Sequence, residues 1–129
     1  MAGRRDGRGQ MILILSELNT VLVTIRLVHT LVWVFFVGCI LLIPVSAATG
    51  DLHRAAALST AVLVECGILA LNQGRCPLTD WARRYTDDRS DNFDIYLPLW
   101  LARYNKAVFG SLFLLFELYL VVVWIGSRR

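Results

Sequence analysis

The sequence predicts an all-α fold: a small helical integral membrane protein with three transmembrane helices plus amphipathic or interfacial helices. Three observations predict it. The chain is 57% hydrophobic with a mean hydropathy of +0.58, well above the roughly 45–50% apolar content of soluble domains. The apolar residues are gathered into runs of about 20, enough to cross a bilayer's hydrocarbon core. Trp, Tyr and Arg gather near the ends of those runs, where headgroups lie. With 129 residues, one folding unit is all the length supports.

Residues 1–10 carry Arg4, Arg5 and Arg8 among three glycines. Nothing there can form a core, so they read as a disordered basic tail before a single helical membrane domain over 11–129. In residues 11–26, Ser16, Asn19, Thr20, Thr24 and Arg26 fall mostly on one side of a helix, the pattern of an amphipathic lead-in lying in the interface. It runs into the first span at 27–47. No turn residues mark a break between them, which argues against dividing 11–47 into two spans. Val45-Ser46-Ala47-Ala48 resembles a signal-peptide cleavage site, but the apolar run before it exceeds the roughly 7–15 residues of a signal core.

Pro44 falls near the end of the first span, where a missing N–H costs least, and Thr49-Gly50-Asp51 reads as a tight turn. The second span covers about 54–72. On it Ala57, Ala61 and Glu65 share a face, so a helix contact is expected beside the carboxylate. Residues 74–106 form the only long hydrophilic connection. Within it Thr79-Asp80 is expected to cap a short helix over 82–85, and 87–92 reads as a charged turn. Phe93, Leu97, Trp100 and Tyr104 recur at helical spacing and read as an interfacial helix broken or restarted at Pro98. The third span is expected over 107–125.

The tail and the connection together hold nine of the Lys and Arg residues. Cytoplasmic segments retain such charges, which places the N-terminus and the 74–106 connection in the cytoplasm and the chain in the plasma (inner) membrane. The net charge of +3 is spread around apolar segments without a basic stripe and stacking aromatics, which argues against nucleic acid. Cys39, Cys66 and Cys76 make no CxxC pair, so a thiol-redox framework is not expected. A bis-histidine haem is excluded within one chain, because His29 and His53 lie on the order of 25 Å apart along the membrane normal. Asp88, Ser90, Asn92 and Asp94 alternate like a calcium loop, but Phe93 occupies the glycine position and Leu99 the bidentate glutamate position. No cofactor or metal is implied.

Two groups of polar residues stand at membrane depth. Glu65 and Glu117 come out within about 5 Å of the same depth, as a proton-handling pair or as acids hydrogen-bonding across helices. Arg26, His29, Asn72 and Cys76, with Gln73, come out at one level near the inner end of the bundle, a set suited to a lipid headgroup or another anion. Cys76 is the one candidate reactive thiol, but the sequence shows no base for it, and no catalytic residues are assigned.

His29 followed by Trp33 and Gly38, His53 opening the next span, the tetrapeptide Cys76-Pro77-Leu78-Thr79 and the aromatic stretch at Tyr96-Leu97 resemble a family of small bacterial integral membrane proteins that is itself a domain of unknown function. The resemblance covers roughly residues 29–101. After the tetrapeptide the chain departs from it with Trp81-Ala82-Arg83-Arg84 and an Asp-rich turn. The resemblance implies fold and location and carries no activity. The functional expectation is therefore a structural or accessory protein, acting through helix contacts in the lipid bilayer as a homo-oligomer or within a larger membrane complex. The alternatives are a small oligomeric transporter or proton relay using Glu65 and Glu117, and a headgroup or anion binder at the cytoplasmic face.

Overall fold

The computed structural model describes residues 7–129. Helix α1 spans Gly7–Ala48, α2 Leu52–Leu71, α3 Pro77–Ala82 and α4 Leu99–Ser127. Among the described residues there is no strand. Helices α1, α2 and α4 are long and apolar enough to cross a membrane, as the hydropathy runs predict. Of the expected tail, residues 1–6 lie outside the described residues, and 7–10 already belong to α1.

Helix α1 is unbroken over 42 residues, about 63 Å at 1.5 Å per residue and roughly twice the hydrocarbon thickness. Lead-in and first span are one helix, which also passes through Pro44 to Ala48. Proline there forfeits one hydrogen bond, to the carbonyl four residues back. The helix then ends on a Schellman turn. Gly50 takes φ +82°, and the Asp51 and Gly50 N–H groups reach back to the carbonyls of Ser46 (2.9 Å) and Ala47 (3.1 Å). Glycine suits that left-handed position because it has no Cβ to clash.

The Asp51 side chain then accepts from the Arg54 N–H at 3.0 Å, capping α2 and satisfying one of its orphan donors. Replacing Asp51 with alanine is expected to cost about 1 kcal/mol of stability. Denaturant unfolding in detergent, followed by circular dichroism, measures this; an unchanged midpoint would show that the cap contributes nothing.

Helix α1 is central, packing against each of the other three helices. One core lies between the three long helices. Cys39, Ile40 and Ile43 of α1, Val62 of α2 and Phe113 of α4 are buried there, with Phe36, Leu58, Phe109, Leu112, Phe116 and Leu120 packed around them. The contributions of α1 and α4 recur every three or four residues, as one helical face requires. Trp33 and Phe109 meet edge to face at 5.5 Å, and Trp33 Nε1 donates to Asn105 Oδ1 at 2.7 Å, tying α1 to α4. Most of the outer surface of α4 is apolar and exposed, Leu114, Leu118 and Val122 among it, as a lipid-facing helix requires.

A second, smaller core lies under the connection. Ile25 of α1, Ala82 of α3 and Phe93 are buried together, with Val21, Leu22, Leu78 and Tyr85 against them. The connection is thus a folded cap on the middle of α1.

Three expectations about elements are corrected. The buried positions of α2 are Ala55, Ser59 and Val62, whereas Ala57 is exposed; the small-residue strip does not form the helix contact. Helix α3 starts at Pro77, with Cys76 in the N-cap position, ahead of the expected 82–85. Proline is preorganised for the first helical position, and Asp80 bonds to Asn72 and Arg75 instead of capping. The interfacial helix over 93–104 exists only in its second half. Residues 93–97 are irregular, and α4 begins at Leu99, since Pro98 bars helical geometry in the residue before it.

Candidate functional site

The connection is fastened to α1 by three side chains on one helical face, Arg26, His29 and Thr30. Arg26 Nε donates to the Phe93 carbonyl at 2.6 Å. His29 Nδ1 stands 3.2 Å from the Asp94 carbonyl oxygen, and the Tyr96 N–H donates to Thr30 Oγ1 at 3.0 Å. An irregular segment lying on a helix has no ladder for its backbone, so side chains must supply the partners. The Arg26 guanidinium also lies 5.9 Å from the centre of the Tyr96 ring.

Asp94 is the junction of this arrangement. It is 5% exposed, its Oδ2 lies 3.1 Å from His29 Nδ1, and it accepts a hydrogen bond from Thr79 Oγ1. Burial pushes the Asp94 carboxyl up, but the hydrogen bonds from His29 and Thr79 and the charge of the imidazole outweigh it and hold the group below its ordinary value. The run His29, Asp94 and Thr79 is therefore continuous. Cys76 and His29 both line the same cleft.

Each residue of the tetrapeptide has a physical task here. Pro77 opens α3 and keeps Cys76 extended (φ −64°, ψ 138°), so the thiol stands beside His29 instead of winding into the helix. Leu78 packs in the smaller core, and Thr79 holds Asp94.

His29, Cys76, Thr79 and Asp94 line an open cleft of about 600 Å³. Its polar end carries His29, Cys76, Thr79 and Asp94 with Arg75, Arg83, Arg89, Arg103 and Lys106; its other end is walled by Phe36, Val37, Ile40, Val62 and Phe113. From His29 to Ile40 is about 16 Å along α1. Two of the five cations are compensated, Arg75 by Asp80 (3.0 Å) and Arg103 by Asp91 (2.9 Å). Arg83, Arg89 and Lys106 have no carboxylate in salt-bridge range among the described residues. Lys106 Nζ donates to the Gly74 carbonyl, and Arg89 bonds only backbone carbonyls. Arg83 and Arg89 act on the carboxylates of Asp80 and Asp88 only beyond salt-bridge range.

Of the four residues expected in one inner cluster, His29 and Cys76 line the same cleft. Arg26 faces a separate hollow with Asp88, Asn92 and Tyr96. Asn72 closes the corner between α2 and α3, its Nδ2 donating to the Arg75 carbonyl (2.8 Å) and to Asp80 Oδ2 (2.7 Å). The Asn72 hydrogen bond, with the nearby Arg75 charge, holds the half-buried Asp80 carboxyl below its ordinary value.

The two membrane-depth carboxylates do not pair. Glu117 accepts a hydrogen bond from Ser59 Oγ, six residues and about 9 Å along α2 from Glu65. Glu65 lines the cleft instead. Asp94 and Thr79 were not singled out as site residues from the sequence; the local signals were the Asp-rich turn, set aside as a calcium loop, and the final residue of the tetrapeptide. The cluster does not converge on one point, and among the described residues no group of three or more His, Cys, Asp or Glu side chains could hold a metal ion.

No family model, no curated protein and no solved structure matches the chain.

Proposed function

We infer that this chain is a multi-pass protein of the bacterial inner membrane that binds an anionic amphiphile, a molecule with a phosphate or carboxylate head and an apolar tail. One observation carries the reading: a single cleft bears three cations outside any salt bridge and a wall of aliphatic and aromatic side chains. Cations without a carboxylate partner favour an anion from outside the chain. The apolar wall supports a tail and disfavours a free ion as sole occupant. The basic connection is assigned to the cytoplasmic side together with the N-terminus, because it carries Arg75, Arg83, Arg84, Arg89, Arg103 and Lys106.

Purification from vesicles of mixed composition, followed by native mass spectrometry, tests the reading. The protein is expected to retain phosphatidylglycerol or phosphatidic acid in preference to phosphatidylcholine. At about 1 kcal/mol per cation near a membrane surface, the triple variant Arg83→Ala, Arg89→Ala, Lys106→Ala is expected to weaken that retention on the order of 100-fold. Equal retention of the zwitterionic lipid, or an unaffected triple variant, sinks the proposal. Displacement of the lipid by millimolar inorganic phosphate would reassign the site to a free anion.

A second reading is supported by the start of α1. Met11, Ile12, Leu13, Ile14 and Leu15 are all more than half exposed, on a helix long and apolar enough to cross a membrane. Such a stretch suits an accessory protein that docks on another membrane helix, in a homo-oligomer or a larger complex.

A further inference from the structure

We propose that Glu65 is the specificity-determining residue of the cleft, and that the amphiphile it selects carries a hydroxyl on its tail, about 10 Å below the anionic head. The inference rests on the amphiphile reading and narrows the class of ligand.

Glu65 lines the cleft together with Phe36, Val37, Val62, Leu69 and Phe109, so a carboxyl stands among apolar walls. At membrane depth such a group is costly unless protein, water or a ligand satisfies it. The other membrane-depth carboxyl is the internal comparison: Glu117 accepts from Ser59 Oγ, so its need is met within the chain. Glu65 has no such partner and enters no salt bridge among the described residues. It is half-buried on the cleft wall, where a ligand can reach it.

The cations of the cleft are engaged elsewhere. Lys106 Nζ donates to the Gly74 carbonyl, just past the end of α2, and Arg75 and Arg103 pair with Asp80 and Asp91. Glu65 lies seven residues back along α2 from Asn72, about 10 Å at 1.5 Å per residue. An anionic head held beside Lys106 therefore leaves Glu65 level with the tail, and the donor that satisfies it belongs to the tail. A hydroxyl suits the position because an uncharged donor costs far less to desolvate than an ammonium. Room exists on the facing helix: Gly110 lines the same cleft, four residues past Lys106, and a Cβ placed there would meet nothing within 4 Å. A plain hydrocarbon tail would leave the carboxyl facing methylene groups, so selection works by rejecting the ligand that lacks the hydroxyl.

The test titrates the full chain in detergent with stearate, 2-hydroxystearate, 10-hydroxystearate and octadecanol, reading affinity by calorimetry. The compound with its hydroxyl midway down the chain, 10-hydroxystearate, is expected to bind about tenfold more tightly than stearate. The isomer with the hydroxyl beside the head, 2-hydroxystearate, is expected to bind no better than stearate. Glu65→Leu is expected to erase the preference for 10-hydroxystearate while stearate still binds, and Glu117→Gln to keep it. The ligand series in the wild type stands by itself if Glu65→Leu fails to fold. Equal affinity for stearate and 10-hydroxystearate, an equal gain from either hydroxyl position, or a preference that survives Glu65→Leu overturns the inference. If stearate then still binds more tightly than octadecanol, the amphiphile reading stands; equal affinity for the acid and the alcohol overturns both.

Discussion

Asp94→Ala is expected to lower the stability of the folded chain by about 3 kcal/mol, the scale of removing one partner from a buried charged pair. The change leaves His29 without its carboxylate and Thr79 Oγ1 without its acceptor, at a site only 5% exposed. It also loosens the cap, since Asp94 lies between the segment fastened by Arg26 and that fastened by Thr30. The control is Asp91→Ala. Its pair with Arg103 is 2.9 Å long, but the two side chains are 46% and 56% exposed, so the expected change is at most about 0.5 kcal/mol after solvent screening. Unfolding midpoints in detergent and limited proteolysis of the connection separate the two. Equal stability of the variants would show that Asp94 does not organise the cap.

The same carboxyl gives the cap a pH dependence with a definite sign. Its value is held below the ordinary one in the folded state, so the folded chain favours the ionised form more than the unfolded chain does. That stability is fully present above the ordinary carboxylate value near pH 4 and is lost as pH falls through the lower folded value. Acidification below about pH 4 is therefore expected to open the connection to protease in the wild type, and to do so less steeply in Asp94→Ala.

Ile43→Ala carries the second large effect, about 2–3 kcal/mol. Ile43 is 0% exposed in the core between α1, α2 and α4. Its truncation leaves a cavity that packed neighbours fill only in part. The lower part of the usual range applies, because lipid is as apolar as the core and the loss is one of contacts more than of transfer from water. Leu42→Ala, next in sequence but 40% exposed, is expected to change stability by less than about 1 kcal/mol. A comparison of unfolding in sodium dodecyl sulfate mixed micelles measures the difference. If Leu42→Ala costs as much as Ile43→Ala, the three long helices do not share that core.

The existence of three long helices was legible in the sequence, because apolar runs of that length have few other stable forms in lipid. The turn at Gly50 was equally legible, since a left-handed residue followed by a capping aspartate is local chemistry. The restart of a helix at Pro98 was legible, and α4 runs from Leu99 through the expected span; that residues 93–97 stay irregular was not, because it depends on where their backbone groups find partners. Those partners are Arg26, His29 and Thr30, some 65 residues away in the chain. No local pattern encodes them.

Depth and rotation divide in the same way. Position along a helix follows from counting residues, which put Glu65 and Glu117 at nearly one level and His29 level with Cys76. Which side chains then meet depends on how each helix is rotated and shifted against its neighbours. Packing around Phe109 and Phe113 decides this for α4 and turns Glu117 to Ser59. The sequence by itself determined a three-helix membrane chain, its tight turn and the level at which histidine and cysteine stand, because hydropathy, turn chemistry and helical rise are local properties. Only the tertiary structure decided that Asp94 and Thr79 join His29, and that Arg83, Arg89 and Lys106 line one cleft outside any salt bridge. Those relations arise from folding the connection back onto α1, where long-range packing and backbone satisfaction select the partners.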